Sequence, residues 1–203
     1  MIKVNVLMVK YLASASPSLC RALGAPEDCP CLGLITTDCD DATYIALDEA
    51  TKAAEVQVAY GRSFYGGASN ASTPYAGEVL GILAAATPGA VRSGMAAVLD
   101  ALDHIGFEDV GVPCLAYTVS SCGSFLAKEA DVPVGSAVAY LIAPPLESMY
   151  AMDEALKSAD VMLCKLYTPP TETNFGGGLL TGTQSACTAA CDAFLTSVRE
   201  IKE

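Results

Sequence analysis

Asp48-Glu49-Ala50-Thr51-Lys52-Ala53-Ala54-Glu55-Val56 returns 105 residues later as Asp153-Glu154-Ala155-Leu156-Lys157-Ser158-Ala159-Asp160-Val161. That offset is half of the 203-residue chain. A period near 100 residues is too long for a solenoid unit and suits a small domain, so the chain reads as a fused duplication. Two alike domains in one chain can occupy successive places in a ring, which points toward assembly before catalysis.

The elements on either side of the repeat follow one order twice. Ile2 to Leu12 reads as a strand, with Val4, Val6 and Met8 as its buried side. Ser16, Pro17 and Gly24 bracket a short helix as cap, first turn and stop. Cys31 to Thr37 is a buried strand, and Ala42 to Ala54 a helix with Ile45, Ala46, Glu49, Ala50 and Ala53 at helical spacing. Val56 to Phe64 and Glu78 to Ala85 are strands joined by a polar loop containing Gly and Ser. Thr87-Pro88 then starts a helix to about Ile105, striped by Val91, Met95, Val98, Leu99 and Leu102. In the second half Leu115 to Val119, Ser136 to Ala143, Val161 to Tyr167 and Gly178 to Thr183 read as strands. Ser124 to Ala130, Leu146 to Ala159 and Gln184 to Ile201 read as helices. The expected fold class is α/β, an α+β sandwich of helices on sheets, with domains 1–105 and 106–203 meeting near His104.

Composition limits what such a chain does. Apolar residues make up 52% and charged residues 17%, enough for well-filled cores. No apolar run approaches the roughly 18 residues of a membrane span, and the opening residues lack the layout of a signal peptide. The net charge of −12, from 23 acids and 11 bases, disfavours nucleic acid and anionic membranes as partners. Nine cysteines without a targeting segment fit free thiols in a reducing, cytoplasmic setting. Cys20, Cys164, Cys187 and Cys191 sit among apolar neighbours as small hydrophobes. Cys29, Cys31 and Cys39 have no zinc-knuckle or ferredoxin spacing, so neither a metal nor another cofactor is expected.

Catalytic patterns are equally scarce. His104 stands alone at a helix end, and no Gly-x-Ser-x-Gly supplies a nucleophile for it. Gly176-Gly177-Gly178 lacks the Lys-Ser/Thr ending of a phosphate loop and reads as a turn before a strand. Asp38, Asp40, Asp41 and Glu78 form a candidate acidic group. A subsite for a cation or amine competes there with simple interaction of the two aspartates with a helix dipole.

Longer motifs identify a family. Leu32-Gly33-Leu34-Ile35-Thr36, Asp40-Asp41-Ala42-Thr43-Tyr44-Ile45, Tyr60-Gly61-Arg62-Ser63-Phe64-Tyr65 and Ala76-Gly77-Glu78-Val79 resemble the tandem-domain shell proteins of bacterial microcompartments, of the ethanolamine-utilisation L type. Ala139 to Glu147, Pro169 to Phe175 and Leu180 to Cys187 extend the likeness through the second half. The resemblance implies two circularly permuted microcompartment domains per chain. Three chains would close into a pseudohexameric trimer that packs beside other shell proteins and passes or gates small amine or aldehyde metabolites. It implies no enzymatic activity. It sets Asp40, Asp41 and Glu78 near a pore that takes an amine such as ethanolamine or choline.

Two departures from the family pattern stand out. In Val119-Ser120-Ser121-Cys122-Gly123-Ser124, Ser121 and Cys122 replace the Arg-Thr of the ethanolamine type, removing a positive pore group. The interdomain loop is cut down to Gly106–Cys114. Two rival functions remain open at this point. One is a soluble sensor binding a small amine at Asp40, Asp41 and Glu78; the other is a shell protein carrying an iron–sulfur cluster at Cys114 or Cys122.

Overall fold

The computed structural model describes residues 1–64 and 78–201. The polar loop expected between the third and fourth strands, with Tyr65, Ala76 and Gly77 of the family motifs, lies outside the described residues. The chain divides into two units. The N-terminal unit comprises Lys3–Ile105 with Gly123–Phe125, and the C-terminal unit Met1–Ile2, Gly106–Cys122 and Leu126–Glu203.

The N-terminal unit runs β1 (Val6–Leu12), α1 (Pro17–Leu23), β2 (Cys31–Thr37), α2 (Asp40–Ala53), β3 (Gln57–Phe64), β4 (Glu78–Ala85) and α3 (Pro88–Leu102). Its antiparallel sheet has the order β1-β2-β4-β3. Local chemistry sets the short helix as its sequence predicts. Ser16 Oγ accepts the Leu19 N–H, Pro17 occupies the first turn, and Gly24, at φ +72°, ends it in the left-handed conformation. Period-two alternation in β2 and β4 splits the apolar residues between two faces. Leu32, Ile82 and Ala84 pack with Cys20, Ala25 and Cys29 on the α1 side. Val91, Met95, Val98 and Leu102 form the buried stripe of α3, whereas Leu99 turns outward at 37% exposure.

The C-terminal unit runs β5 (Glu108–Asp109), β6 (Pro113–Val119), α4 (Ser124–Ala130, opened by two residues of the other unit), β7 (Ala137–Ala143), α5 (Pro145–Ser158), β8 (Val161–Tyr167), β9 (Gly176–Gly182) and α6 (Gln184–Glu200). Its sheet order is β5-β6-β7-β9-β8. Apart from the two-residue β5, which the sequence did not signal, the order and pairing repeat those of the first sheet. Register makes the equivalence specific. Val9 faces Ile35 and Leu12 faces Leu32 in the first sheet, as Ala116 faces Leu141 and Val119 faces Val138 in the second. Even the irregularity recurs, between Val58 and Tyr60 on β3 and between Leu163 and Lys165 on β8, at the same repeat positions.

Three expectations need correction. Val6 and Met8 do not form a buried side of β1: both are exposed, and only Val4, which precedes the strand, is buried. β1 is an edge strand, and alternation in sequence cannot tell whether the face it offers is covered. Gly176 to Gly178 are not a turn but the first three residues of β9, all buried. A Cβ on Gly177, at φ +143°, would sit 1.9 Å from the Leu141 carbonyl oxygen, so the β7–β9 pairing requires glycine there. Cys164 is only partly buried on β8.

No disulfide joins the described cysteines. The C-terminal core gathers Cys114, Leu141, Met152, Leu180, Cys187, Cys191, Phe194 and Val198. Burial pushes the Cys114 thiol up to about 12, with Glu108 adding to the effect, and burial pushes Cys191 up to about 11. Both are acids that lose a proton near 9.0 when solvated. Above that pH the unfolded chain releases protons that the fold retains, so stability is full below about pH 9 and falls as pH rises toward the folded values. The expected decline is about 1.4 kcal/mol per pH unit for each thiol. Urea unfolding at pH 8 and pH 10.5 measures it, and Cys114→Val with Cys191→Ala should flatten the decline.

Candidate functional site

The acidic group lies where β2 hands the chain to α2. Thr37, the last residue of β2, binds Thr43 hydroxyl to hydroxyl at 2.7 Å, and its Oγ1 accepts the Cys39 N–H at 3.2 Å. Thr43 Oγ1 also donates to the Cys39 carbonyl at 2.7 Å, back-bonding to its own helix's cap residue. This polar knot fixes the turn and holds Asp40 and Asp41 in the first turn of α2, where the helix dipole favours anions. Both aspartates are buried, and the Asp41 N–H donates to Asp40 Oδ1 at 3.0 Å.

Asp38 plays a different part from its neighbours. Its two oxygens accept the Asn5 backbone N–H at 2.8 Å and the Asn5 side-chain amide at 2.6 Å, and its own N–H donates to the Asn5 carbonyl. That triple pairing ties the chain before β1 to the end of β2, so Asp38 is occupied as a structural clasp. Glu78 opens β4, opposite Phe64 and one step beyond the Thr37–Val79 pair. The register therefore carries Glu78 to the same end of the sheet as Asp38 and the start of α2.

Tyr44, one turn into α2, completes the cluster and was not singled out as a site residue from sequence. Its hydroxyl is hydrogen-bonded to Ser63 on β3, and its pKa is pushed well up, first by burial and then by the negative charges of Asp40 and Asp41. The phenol therefore stays a neutral hydrogen-bonding group. The signal for it lay in the spacing, since Tyr44 falls three and four residues after the aspartates, on their helix face.

Ser121 and Cys122 belong to the C-terminal unit, in the turn that leaves β6. Ser121 is exposed. Cys122 is buried, its N–H donating to the Ser136 carbonyl at 2.8 Å and its thiol lying 3.7 Å from the Pro133 carbonyl. The equivalent Ala15 N–H donates to the Pro30 carbonyl in the N-terminal unit, so this turn is part of the duplicated frame. Cys114 lies within β6, fully buried and with its pKa raised, the opposite of what a thiolate ligand needs. Among the described residues no group of three or more His, Cys, Asp and Glu side chains is arranged to hold a metal ion. No described helix is long and apolar enough to cross a membrane.

A second carboxylate is more deeply buried than any of the predicted ones. Asp48 is 0% exposed, and its Oδ2 accepts the Gly123 N–H at 2.6 Å. Thr51, one turn on, accepts the Ser124 N–H at 3.1 Å through its hydroxyl, which also donates to the Asp48 carbonyl. Phe125 then lays its ring beside Tyr44, with centroids 6.1 Å apart, over the bare backbone of Gly61. Gly123 is required here, because a Cβ would lie 2.1 Å from Thr51 Oγ1.

These groups offer charged and hydrogen-bonding positions, and among the described residues none of them pairs a nucleophile with a base. Comparison with known proteins gives the family. The sequence profile described as "BMC domain" matches residues 31–110. The bacterial microcompartment shell protein EutL of Clostridium perfringens (strain 13 / Type A) is 56% identical over 99% of this chain and 95% of its own. The crystal structure of ethanolamine utilization protein EutL from Leptotrichia buccalis C-1013-b superposes with a TM-score of 0.94 at 52% identity, covering 99% of this chain and 95% of that one. A trimeric bacterial microcompartment shell protein, PduB, shares the fold at 17% identity, with a TM-score of 0.82 over 96% of this chain and 87% of its own. The duplicated α/β topology and full-length identity to these relatives make this chain a member of the bacterial microcompartment shell proteins of the EutL type.

Proposed function

We propose that this structural shell protein is a trimeric tile whose chain carries two tandem, circularly permuted microcompartment domains, 1–105 and 106–203, and whose pore passes a small amine. The tile reading is supported by the duplicated topology and by the relatives that bear it. The amine reading is supported by one observation: the register sets Glu78, at the head of β4, toward the same end of the N-terminal sheet as Asp40 and Asp41 in the first turn of α2, whose charges act on the neutral hydroxyl of Tyr44. Carboxylates stabilise an ammonium group by charge-assisted hydrogen bonds, and a neutral phenol suits the hydroxyl of an amino alcohol. Ethanolamine combines both groups and is the ligand proposed. Ser121 and Cys122 are proposed to line the passage from the C-terminal unit, with a serine hydroxyl where a positive charge would repel a cation.

Calorimetric titration of ethanolamine tests this. Removing one carboxylate charge with Asp41→Asn should weaken binding about tenfold or more, since a hydrogen bond to a charged group contributes roughly 1.5–3 kcal/mol. Wild-type protein that gives no heat with ethanolamine overturns the amine reading. Binding that the substitution leaves unchanged removes Asp41 from the site.

A further inference from the structure

One face of α2 carries more than the aspartates at its head. Asp41, Tyr44, Asp48 and Thr51 fall at i, i+3, i+7 and i+10, a single stripe along the helix. The second half of that stripe is a clamp. Asp48 Oδ2 accepts the Gly123 N–H at 2.6 Å and Thr51 Oγ1 accepts the Ser124 N–H at 3.1 Å, so two backbone donors of one short segment are fixed on successive turns. The next residue of that segment is Phe125. Held through its two predecessors, it lays its ring against Tyr44, with 6.1 Å between centroids and 44° between planes.

Gly61 on β3 closes the stack from the sheet side. A Cβ there would stand 3.4 Å from the tip of the Phe125 ring and 3.5 Å from the Tyr44 ring, so both rings rest on bare backbone. The fold does not demand these residues. In the other repeat the positions of Tyr44, Thr51 and Gly61 hold Met149, Leu156 and Leu166, and the helix and the strand form equally well. Nor is the stack a sealed core, since Tyr44 and Phe125 are both only partly buried. Its effect falls on the phenol, whose oxygen sits at the far end of the ring, where a small tilt becomes a large displacement. Burial raises the Tyr44 pKa, and the Ser63 hydroxyl and backbone act the other way, as donors to the phenol oxygen do. With Ser63 supplying those donors, the phenol's own proton is the group left to give, within reach of the Asp40 and Asp41 charges.

We propose that Phe125 is a positioning residue for the amine site, holding Tyr44 against Gly61 so that the phenol donates to an oxygen carried by the bound amine. The site then selects amino alcohols from among small amines: the carboxylates take the ammonium group and the phenol takes the oxygen two carbons away. A plain alkylamine of the same length satisfies the carboxylates and leaves the phenolic donor without its acceptor, which a polar site penalises. The proposal rests on the amine reading and adds what sets its selectivity. It also gives the Asp48–Gly123 clamp a role at the other end of its helix stripe.

Full-length protein is titrated calorimetrically with ethanolamine and with n-propylamine, which carries a methyl group in place of the hydroxyl. The ratio of the two affinities reads the selectivity. Wild type should prefer ethanolamine about tenfold. Phe125→Ala should cut that preference to about threefold or less while n-propylamine binds within about twofold of wild type. Phe125→Leu, which refills most of the space, should restore the preference. Gly61→Val displaces both rings from the opposite side, on a strand where β-branched residues are at home, and should lower the ratio as Phe125→Ala does. It decides the question where Phe125→Ala does not fold, which circular dichroism reads. A folded variant of either kind that keeps the wild-type ratio, or that weakens both ligands alike, overturns the positioning role. A wild type that binds both amines equally overturns the selectivity and leaves the amine reading standing. No heat from either amine overturns the amine reading itself and this inference with it.

Discussion

Replacing Gly177 with alanine should be the most damaging single-methyl change in the molecule. The added Cβ would lie 1.9 Å from the Leu141 carbonyl oxygen and 2.8 Å from its carbon, both backbone atoms that cannot rotate away. The φ of +143° adds a second penalty, since side chains are not accommodated there. Relief requires β9 to move away from β7, breaking the register that pairs Ile142 with Gly177 and Leu141 with Gly178 at the centre of the sheet. A loss above about 4 kcal/mol is expected, in the range reserved for strain at special backbone positions and core overpacking. For a unit of about 100 residues that lowers the melting midpoint by some 15 °C or more, or prevents soluble expression. Scanning calorimetry reads it directly. A midpoint within a few degrees of wild type would mean the β7–β9 pairing tolerates displacement.

The second large effect contrasts two residues that the sequence presents as twins. Asp48→Ala should cost roughly 2–4 kcal/mol: it strands the buried Gly123 N–H and leaves a cavity at a fully buried position. Asp153→Ala, at the matching repeat position, should fall within about 0.5 kcal/mol. Asp153 is exposed and pairs with Lys157, a contact across one helix turn in water. Denaturant midpoints of the two variants test the contrast in one experiment. Equal losses would show that burial at position 48 carries no energy of its own.

That contrast also marks what could be read from residues alone. The repeat at 48–56 and 153–161 was enough to anticipate the duplicated order of strands and helices, because periodicity and capping are local and survive duplication. Ser16, Pro17 and Gly24 bounded α1, and the four buried residues of the α3 stripe lay at helical spacing. Coverage is not local. Val6, Met8, Asp48 and Cys164 read wrongly or went unnoticed because identical motifs can face protein in one repeat and solvent in the other. The acidic group was half legible: the aspartate pair stood out as charge at a helix start. Diverting Asp38 to Asn5 and bringing Tyr44 to Ser63 depend on partners 33 and 19 residues away along the chain. Gly176 to Gly178 misled for a related reason, since three glycines signal freedom in an isolated chain but close approach in a packed sheet.

Fusion of the two domains gives α2 and α5 separate sequences, and their opening turns have taken opposite characters. One begins Asp40-Asp41 and the other Pro145-Leu146. Six copies of a single domain must present six identical openings. In one fused chain the two helix starts are free to differ, so the charge at the start of α2 is set independently of the apolar start of α5.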